Sequence, residues 1–154
     1  MLLELCESIA VTVVRMIKTY SELIQLPTFI ERYQYLRIGG KVGEDTFGFD
    51  RYLNQIFYKS DEWLSIRNYV IIRDSGCDLG MLDREIRKPT PILVHHMNPI
   101  SKDDILRRSK FLLDPEYLIC TIKTTHDAIH YGDERLLAVD PIVRSKNDTC
   151  PWRR

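Results

Sequence analysis

The chain has 154 residues, 44% hydrophobic and 29% charged, which is typical of one globular domain with a packed core and excludes wholesale disorder. Lysine plus arginine equals aspartate plus glutamate at 22 each, so no global positive charge indicates a nucleic-acid partner. The four cysteines, Cys6, Cys77, Cys120 and Cys150, form no C-x-x-C pair. Neither a disulfide framework nor a zinc knuckle is therefore expected, and we expect a reducing, cytoplasmic environment.

Residues 1–75 have the periodicity of a mainly helical N-terminal part. Apolar residues recur at helical spacing from Leu2 to Ile17, which predicts an amphipathic helix. Its uncharged run, Ser8 to Val14, is far too short to span a membrane, and its acidic start is unlike a signal peptide. A second helix is expected after Pro27, ending at the glycine pair 39–40.

Two further helices are predicted before residue 76. A loop over Lys41 to Phe49 leads to Asp50, which can cap a short helix. Ser60 is the predicted N-cap of a helix from Asp61 to about Arg73. The residues expected to pack on the core share one face of that helix: Trp63, Ile66, Tyr69, Val70 and Arg73.

The pattern changes after Gly76 and Gly80, where short β-type runs replace helical periodicity. Ile92 to Val94 is predicted to be a strand that runs directly into His95 and His96. Ser101 and Asp104 then predict a capping box that opens a helix through about residue 108.

A second strand and a last helix complete the predicted α+β fold. Tyr117 to Cys120 is the predicted strand. The helix that follows starts at Thr124 or Thr125 and ends at Gly132. The tail, residues 136–154, is expected to be an extended closing segment of the same single domain.

All four histidines lie between positions 95 and 130, in two pairs. His126 and His130 are four residues apart on the predicted helix, so they project from one face and could grip one divalent ion. The neighbours His95 and His96 point to opposite sides of a strand, so one could bind metal while the other has a separate role. Phosphodiester hydrolysis needs both a general base and a cation.

Four successive blocks, Trp63–Asp74, Leu93–Pro99, Leu113–Cys120 and Thr125–His130, resemble HNH, or ββα-metal, endonucleases, above all the small proteins of phages and prophages. The resemblance covers residues 21–152 and implies a β-hairpin and a helix around one divalent metal within residues 76–135.

The resemblance also implies roles for individual residues. His95, His126 and His130 would hold the metal, and His96 would be the general base that activates water. Three arginines would contact DNA phosphate: Arg67, Arg73 and Arg135. Mg²⁺ is the expected ion for activity, while an all-imidazole site would bind Zn²⁺ or Ni²⁺ more tightly, and Mn²⁺ is also compatible.

Two departures from the family pattern affect this interpretation. Tyr117 stands where the family has its middle asparagine, and Asn98 is a candidate substitute. Cys77 and Cys120 lie near the family's structural zinc ligands without partner cysteines, so no structural zinc is expected.

The leading hypothesis is a DNA endonuclease in the cytoplasm, or in the host cytoplasm if a phage encodes it. The alternative is a non-catalytic HNH-like module that binds DNA or assists phage packaging through contact with a terminase. A third hypothesis is a structural zinc protein that uses His95, His126 and His130 and unfolds with chelators.

Overall fold

The computed structural model describes residues 16–38 and 55–137. Several predicted elements therefore lie outside the described residues: most of the opening helix, the glycine pair 39–40, the loop 41–49, the cap Asp50 and most of the tail. Within the two described ranges, no helix combines the length and the apolar character that crossing a bilayer requires.

The described N-terminal residues are helical where they form regular structure. α1 spans Tyr20–Leu23, α2 spans Phe29–Leu36, and residues 55–58 are helical as well. α2 opens with a capping box of Thr28 and Glu31, and it ends at Leu36, before the predicted glycines. α3 spans Asp61–Arg73 behind the N-cap Ser60, as predicted.

The C-terminal part contains two small antiparallel sheets. β1, Cys77–Asp78, pairs with β2, Arg84–Glu85, and β3, Leu93–His96, pairs with β4, Leu118–Thr121. The second sheet is a hairpin whose register places His95 opposite Ile119 and His96 opposite Leu118. The mixture of helices and antiparallel strands confirms the predicted α+β class.

Short helices fill the connection between β3 and β4, and a longer helix follows the hairpin. α4 spans Lys102–Arg107 behind the predicted capping box of Ser101 and Asp104, and α5 spans Lys110–Leu113. α6 spans Lys123–Tyr131, and Gly132 ends it with a positive φ of 65°, as predicted. Three 3-10 turns complete the order: Leu79–Met81, Pro115–Tyr117 and Glu134–Leu136.

The β3–β4 hairpin is buried on both faces, because α3 packs on one side and α2 and α6 pack on the other. Leu118 and Cys120 share a core cluster with the α3 residues Trp63 and Val70. On the other face, a second cluster joins residues of several elements: Leu23, Leu36, Leu79, Met97, Ile119 and Ile129. The prediction that Tyr69 faces the core is wrong, since its side chain is 54% exposed.

The end of α3 fastens β4 through charged side chains. Arg73 donates from Nη1 to the Pro115 carbonyl and from Nη2 to the Leu118 carbonyl, each at 2.7 Å. Asp74 accepts a bond from Arg73 Nε at 2.7 Å and another from the Cys120 amide at 2.8 Å. These bonds satisfy the Leu118 carbonyl and the Cys120 amide of β4 and fasten the preceding turn, at Pro115, to the end of α3.

A buried carboxylate, Asp78, positions the start of α6. Its Oδ2 accepts bonds from the Ile122 amide at 3.1 Å and the Thr125 hydroxyl at 2.6 Å, while Oδ1 accepts from the Gly80 amide at 3.0 Å. The predicted N-cap at Thr124 or Thr125 is wrong. Ile122 is the N-cap residue and has no side-chain capping bond, and Asp78 instead holds the start of the helix through the Ile122 amide and the Thr125 hydroxyl.

Candidate metal centre

Three of the four histidines converge between the hairpin and α6. His95 projects from β3, and His126 and His130 project from one face of α6, as the four-residue spacing predicts. Their candidate ligand atoms all lie within 4.8 Å of one another. The ring centroids of His95 lie 5.1 Å from His126 and 5.0 Å from His130, and the two helical rings are 4.3 Å apart.

The hydrogen bonds of the three rings leave nitrogen lone pairs within the cluster. His95 Nε2 and His130 Nδ1 are buried without a hydrogen-bond partner. His126 donates from Nδ1 to the Asp127 carboxylate at 3.3 Å, so Nε2 is the nitrogen left to serve as a ligand. Buried polar atoms without partners are rare in folded proteins, so these two nitrogens need an explanation.

The electrostatics of the cluster favour the neutral form of His95 and His130. Burial, together with the neighbouring His130 and His126, lowers the pKa of His95 well below its ordinary value. Burial and then His126 lower the pKa of His130 to about 4. At neutral pH both rings therefore keep the lone pair that metal binding requires.

The residues present fit a divalent ion. Imidazole nitrogens bind Zn²⁺ at about 2.0–2.1 Å, which keeps two ligand nitrogens within about 4.2 Å of each other. The observed limit of 4.8 Å is close to this, so small side-chain rotations would complete the site. In residues 16–38 and 55–137, these three histidines form the only group of three or more histidine, cysteine or acidic side chains so placed.

His96 lies on the opposite face of β3 and stands apart from the cluster. Its side chain is 8% exposed and its Nε2 lies 3.1 Å from the Leu112 carbonyl. Because a carbonyl only accepts, Nε2 must carry the proton and Nδ1 must carry the lone pair. Burial lowers the pKa of His96 to about 4, against a smaller raising effect of that carbonyl.

Aromatic rings surround His96. The indole of Trp63 stacks on the imidazole with ring centroids 5.1 Å apart and an angle of 19° between the planes. Phe57 and Tyr58 lie farther out, each with its centroid 6.3 Å from that of His96. The side chain predicted to be the general base is thus held in an aromatic enclosure.

The three arginines predicted to contact DNA phosphate have different environments. Arg73 donates one bond from each of its three side-chain nitrogens within the fold, and its guanidinium lies 3.7 Å over the ring of Tyr20, so a phosphate would have to compete with these contacts. Arg67 is half-buried and makes one long bond, 3.4 Å, to the Ile92 carbonyl. Arg135 is exposed and paired with Asp133 at 2.9 Å.

The loop between the hairpin strands is held without the family's asparagine. Tyr117 is buried and packs on Phe111, with ring centroids 4.8 Å apart. Asp114 caps the turn before β4 by accepting from the Glu116 amide at 2.9 Å. Asn98 lies at the start of the same loop, and its side-chain amide bonds the backbone N–H and C=O of Lys18, each at 2.8 Å, which fastens this end of the loop to the residues before α1.

Three residues of the site were missed by sequence reasoning. Asp127 was visible as a carboxylate next to a candidate ligand. Asp78 carried no local signal, since its partners Ile122 and Thr125 are 44 and 47 residues away. Trp63 was predicted to be a core residue, and its contact with His96 requires the tertiary structure.

Comparison with protein-family models, curated proteins and solved structures finds no match to this chain.

Proposed function

We propose that this chain is a metal-dependent endonuclease of the HNH, or ββα-metal, type that hydrolyses DNA phosphodiester bonds. The observation that carries the proposal is the convergence of His95, His126 and His130, from a strand and a helix, with two buried nitrogens that have no partner. The chain order of β3, β4 and α6 around that cluster is the arrangement that the family resemblance implies.

The histidines would have two separate roles in the reaction. His95, His126 and His130 would hold a divalent ion, which when bound stabilises negative charge on the scissile phosphate and the leaving oxygen. His96 would accept the proton of the attacking water at Nδ1, since its Nε2 is committed to the Leu112 carbonyl. Arg67 and Arg135 remain proposed contacts to DNA phosphate.

The donor set supports some ions over others. Three imidazoles without a carboxylate suit Zn²⁺ or Ni²⁺ better than Mg²⁺, which prefers oxygen ligands. We therefore expect Zn²⁺ and Ni²⁺ to bind more tightly than Mg²⁺ in calorimetric titrations, whichever ion supports the fastest cleavage. Mn²⁺ and Mg²⁺ are the ions to compare for activity.

A plasmid-nicking assay tests the proposal. Metal-stripped protein is mixed with supercoiled DNA and one divalent ion at a time, and nicked product is followed over time. His96→Gln keeps an amide donor for the Leu112 carbonyl but has no basic nitrogen, so we expect at least a 100-fold loss of cleavage with metal affinity unchanged. Val70→Ala, in the same core cluster as His96's neighbour Trp63, is the control for destabilisation.

One observation favours a second candidate function. His96 is only 8% exposed, whereas a general base must reach water. The alternative is a metal-binding HNH-like module that contacts DNA, or a phage terminase, without cutting. Metal binding by calorimetry, without nicking of any DNA form by the parent protein, would favour the alternative over the endonuclease.

A further inference from the structure

The contact between Trp63 and His96 has a geometry that specifies the orientation of the imidazole. The indole plane lies 19° from the imidazole plane with ring centroids 5.1 Å apart, the geometry of an offset stack. Phe57 and Tyr58 lie at larger angles, 45° and 60°, and limit sideways movement. The imidazole thus has an aromatic ring against one face and two more farther out.

The Leu112 carbonyl determines which of two orientations the His96 ring takes within its plane. An imidazole ring can occupy one plane in two orientations that differ by a half-turn, and a half-turn would exchange Nε2 for a carbon opposite this carbonyl. The bond at 3.1 Å therefore selects one orientation, while the stack with Trp63 selects the plane. Together they direct the Nδ1 lone pair in one direction.

Trp63 is itself held firmly. It lies in the first turn of α3, where its amide donates to the N-cap Ser60 at 3.2 Å, and its side chain is buried. Its cluster includes Leu118, the register partner of His96 on β4. The indole is thus fixed both to the helix and to the strand pair that carries the histidines.

We propose that Trp63 is a positioning residue for His96, which it holds in the plane and orientation that aim Nδ1 at the proton of the attacking water. This inference rests on the proposed endonuclease function. Trp63 touches neither DNA nor the metal ligands in this role, and it acts through the ring of His96.

Kinetics of matched variants test the inference. Trp63→Leu removes the stacking ring, so we expect kcat for plasmid nicking to fall about 10- to 100-fold, with KM for DNA and metal affinity within about twofold of the parent. Trp63→Phe retains an aromatic face and should recover most of kcat. Val70→Ala, on the same helix and in the same cluster, should lose stability without losing kcat.

Two results would overturn the inference. Parental kcat in Trp63→Leu would show that the stack does not matter to the reaction. A fall in Val70→Ala equal to that in Trp63→Leu would show that only stability matters. If Trp63→Leu fails to fold, the spectrum of the parent protein decides, because it reports the stack and the position of the proton without any variant.

Nuclear magnetic resonance of the metal-free protein tests the geometry without any activity. Ring current from the indole should shift the His96 ring protons upfield, and ¹⁵N shifts should show the proton on Nε2. We expect Trp63→Leu to lose the upfield shift and Val70→Ala to keep it. An unshifted His96, or a proton on Nδ1, refutes the positioning role even if the parent cuts DNA. A parent that does not cut, with the expected spectra, refutes the proposed function alone.

Discussion

In two of the four histidines, one ring nitrogen is hydrogen-bonded to a nearby acceptor. In the other two, a buried ring nitrogen has no hydrogen-bond partner. Asp127 takes the Nδ1 proton of His126, and the Leu112 carbonyl takes the Nε2 proton of His96. His95 Nε2 and His130 Nδ1 have no such partner. Identical side chains therefore present different nitrogens, and this difference separates a ligand set from a candidate base.

Asp127 should tune the affinity of the cluster for metal. A carboxylate that holds the other nitrogen of a ligand histidine orients the ring and raises its basicity, and loss of such a partner costs about 10- to 100-fold in affinity. We expect Asp127→Ala to weaken Zn²⁺ binding by at least tenfold, whereas Asp127→Asn, which keeps an oxygen acceptor, should have a smaller effect. Competition calorimetry measures both.

The control for this prediction is Asp103→Ala, which removes one exposed carboxylate from α4. It makes the same change in net charge without a contact to a histidine. Equal losses of affinity in Asp103→Ala and Asp127→Ala would mean that overall charge, and not the bond to His126, governs binding.

At the scale of elements, α6 depends on contacts with a distant turn. Gly80 lies beside Thr125 so closely that a β-carbon at position 80 would come within 2.6 Å of Thr125 Cγ2. The same threonine gives its hydroxyl proton to Asp78. The helix that carries two candidate ligands is therefore seated by close packing and by a buried carboxylate together.

Gly80→Ala should destabilise the protein by about 1–3 kcal/mol, the usual cost of overpacking. Thr125→Ser removes the clashing methyl group and keeps the hydroxyl that bonds Asp78. We therefore expect the double variant Gly80→Ala, Thr125→Ser to lose less free energy of unfolding than the two single variants lose together. Urea unfolding of the four proteins gives the coupling free energy, and strictly additive costs would contradict the proposed contact.

Elements with local signals were predictable, and those held by distant partners were not. Ser60 caps α3, Ser101 and Asp104 cap α4, and Gly132 ends α6, because each signal acts within one turn. The start of α6 was misplaced because its acceptor, Asp78, belongs to another element. The spacing of His126 and His130 predicted a shared face, whereas the aromatic enclosure of His96 required α3 to pack on β3.

At the scale of the whole molecule, the histidine cluster joins the first strand of the hairpin to the helix that follows the second strand. His95 belongs to the hairpin and His126 to the helix behind it. A ligand that binds only the folded arrangement stabilises it by mass action, about 2.7 kcal/mol at one hundred times its dissociation constant. Metal should therefore raise the temperature of unfolding.

We expect saturating Zn²⁺ to raise the Tm of the metal-stripped protein by about 5–10 °C, a shift typical of that free energy in a chain of this size. Differential scanning calorimetry with and without the ion measures it. The double variant His126→Ala, His130→Ala should show no such shift. A shift of the same size in that variant would place the bound ion elsewhere.

The alternation of side chains along β3 has a consequence for the pair His95–His96. If β3 slipped by one residue, His95 and His96 would exchange faces. Because both side chains are imidazoles, these two positions alone do not favour the observed register over the slipped one. Discrimination must come from the residues that follow. Met97 is fully buried on the His95 face, and Asn98 is bonded to both polar groups of the Lys18 backbone. These two residues help to fix the register of β3, and the register determines which histidine faces α6 as a candidate ligand.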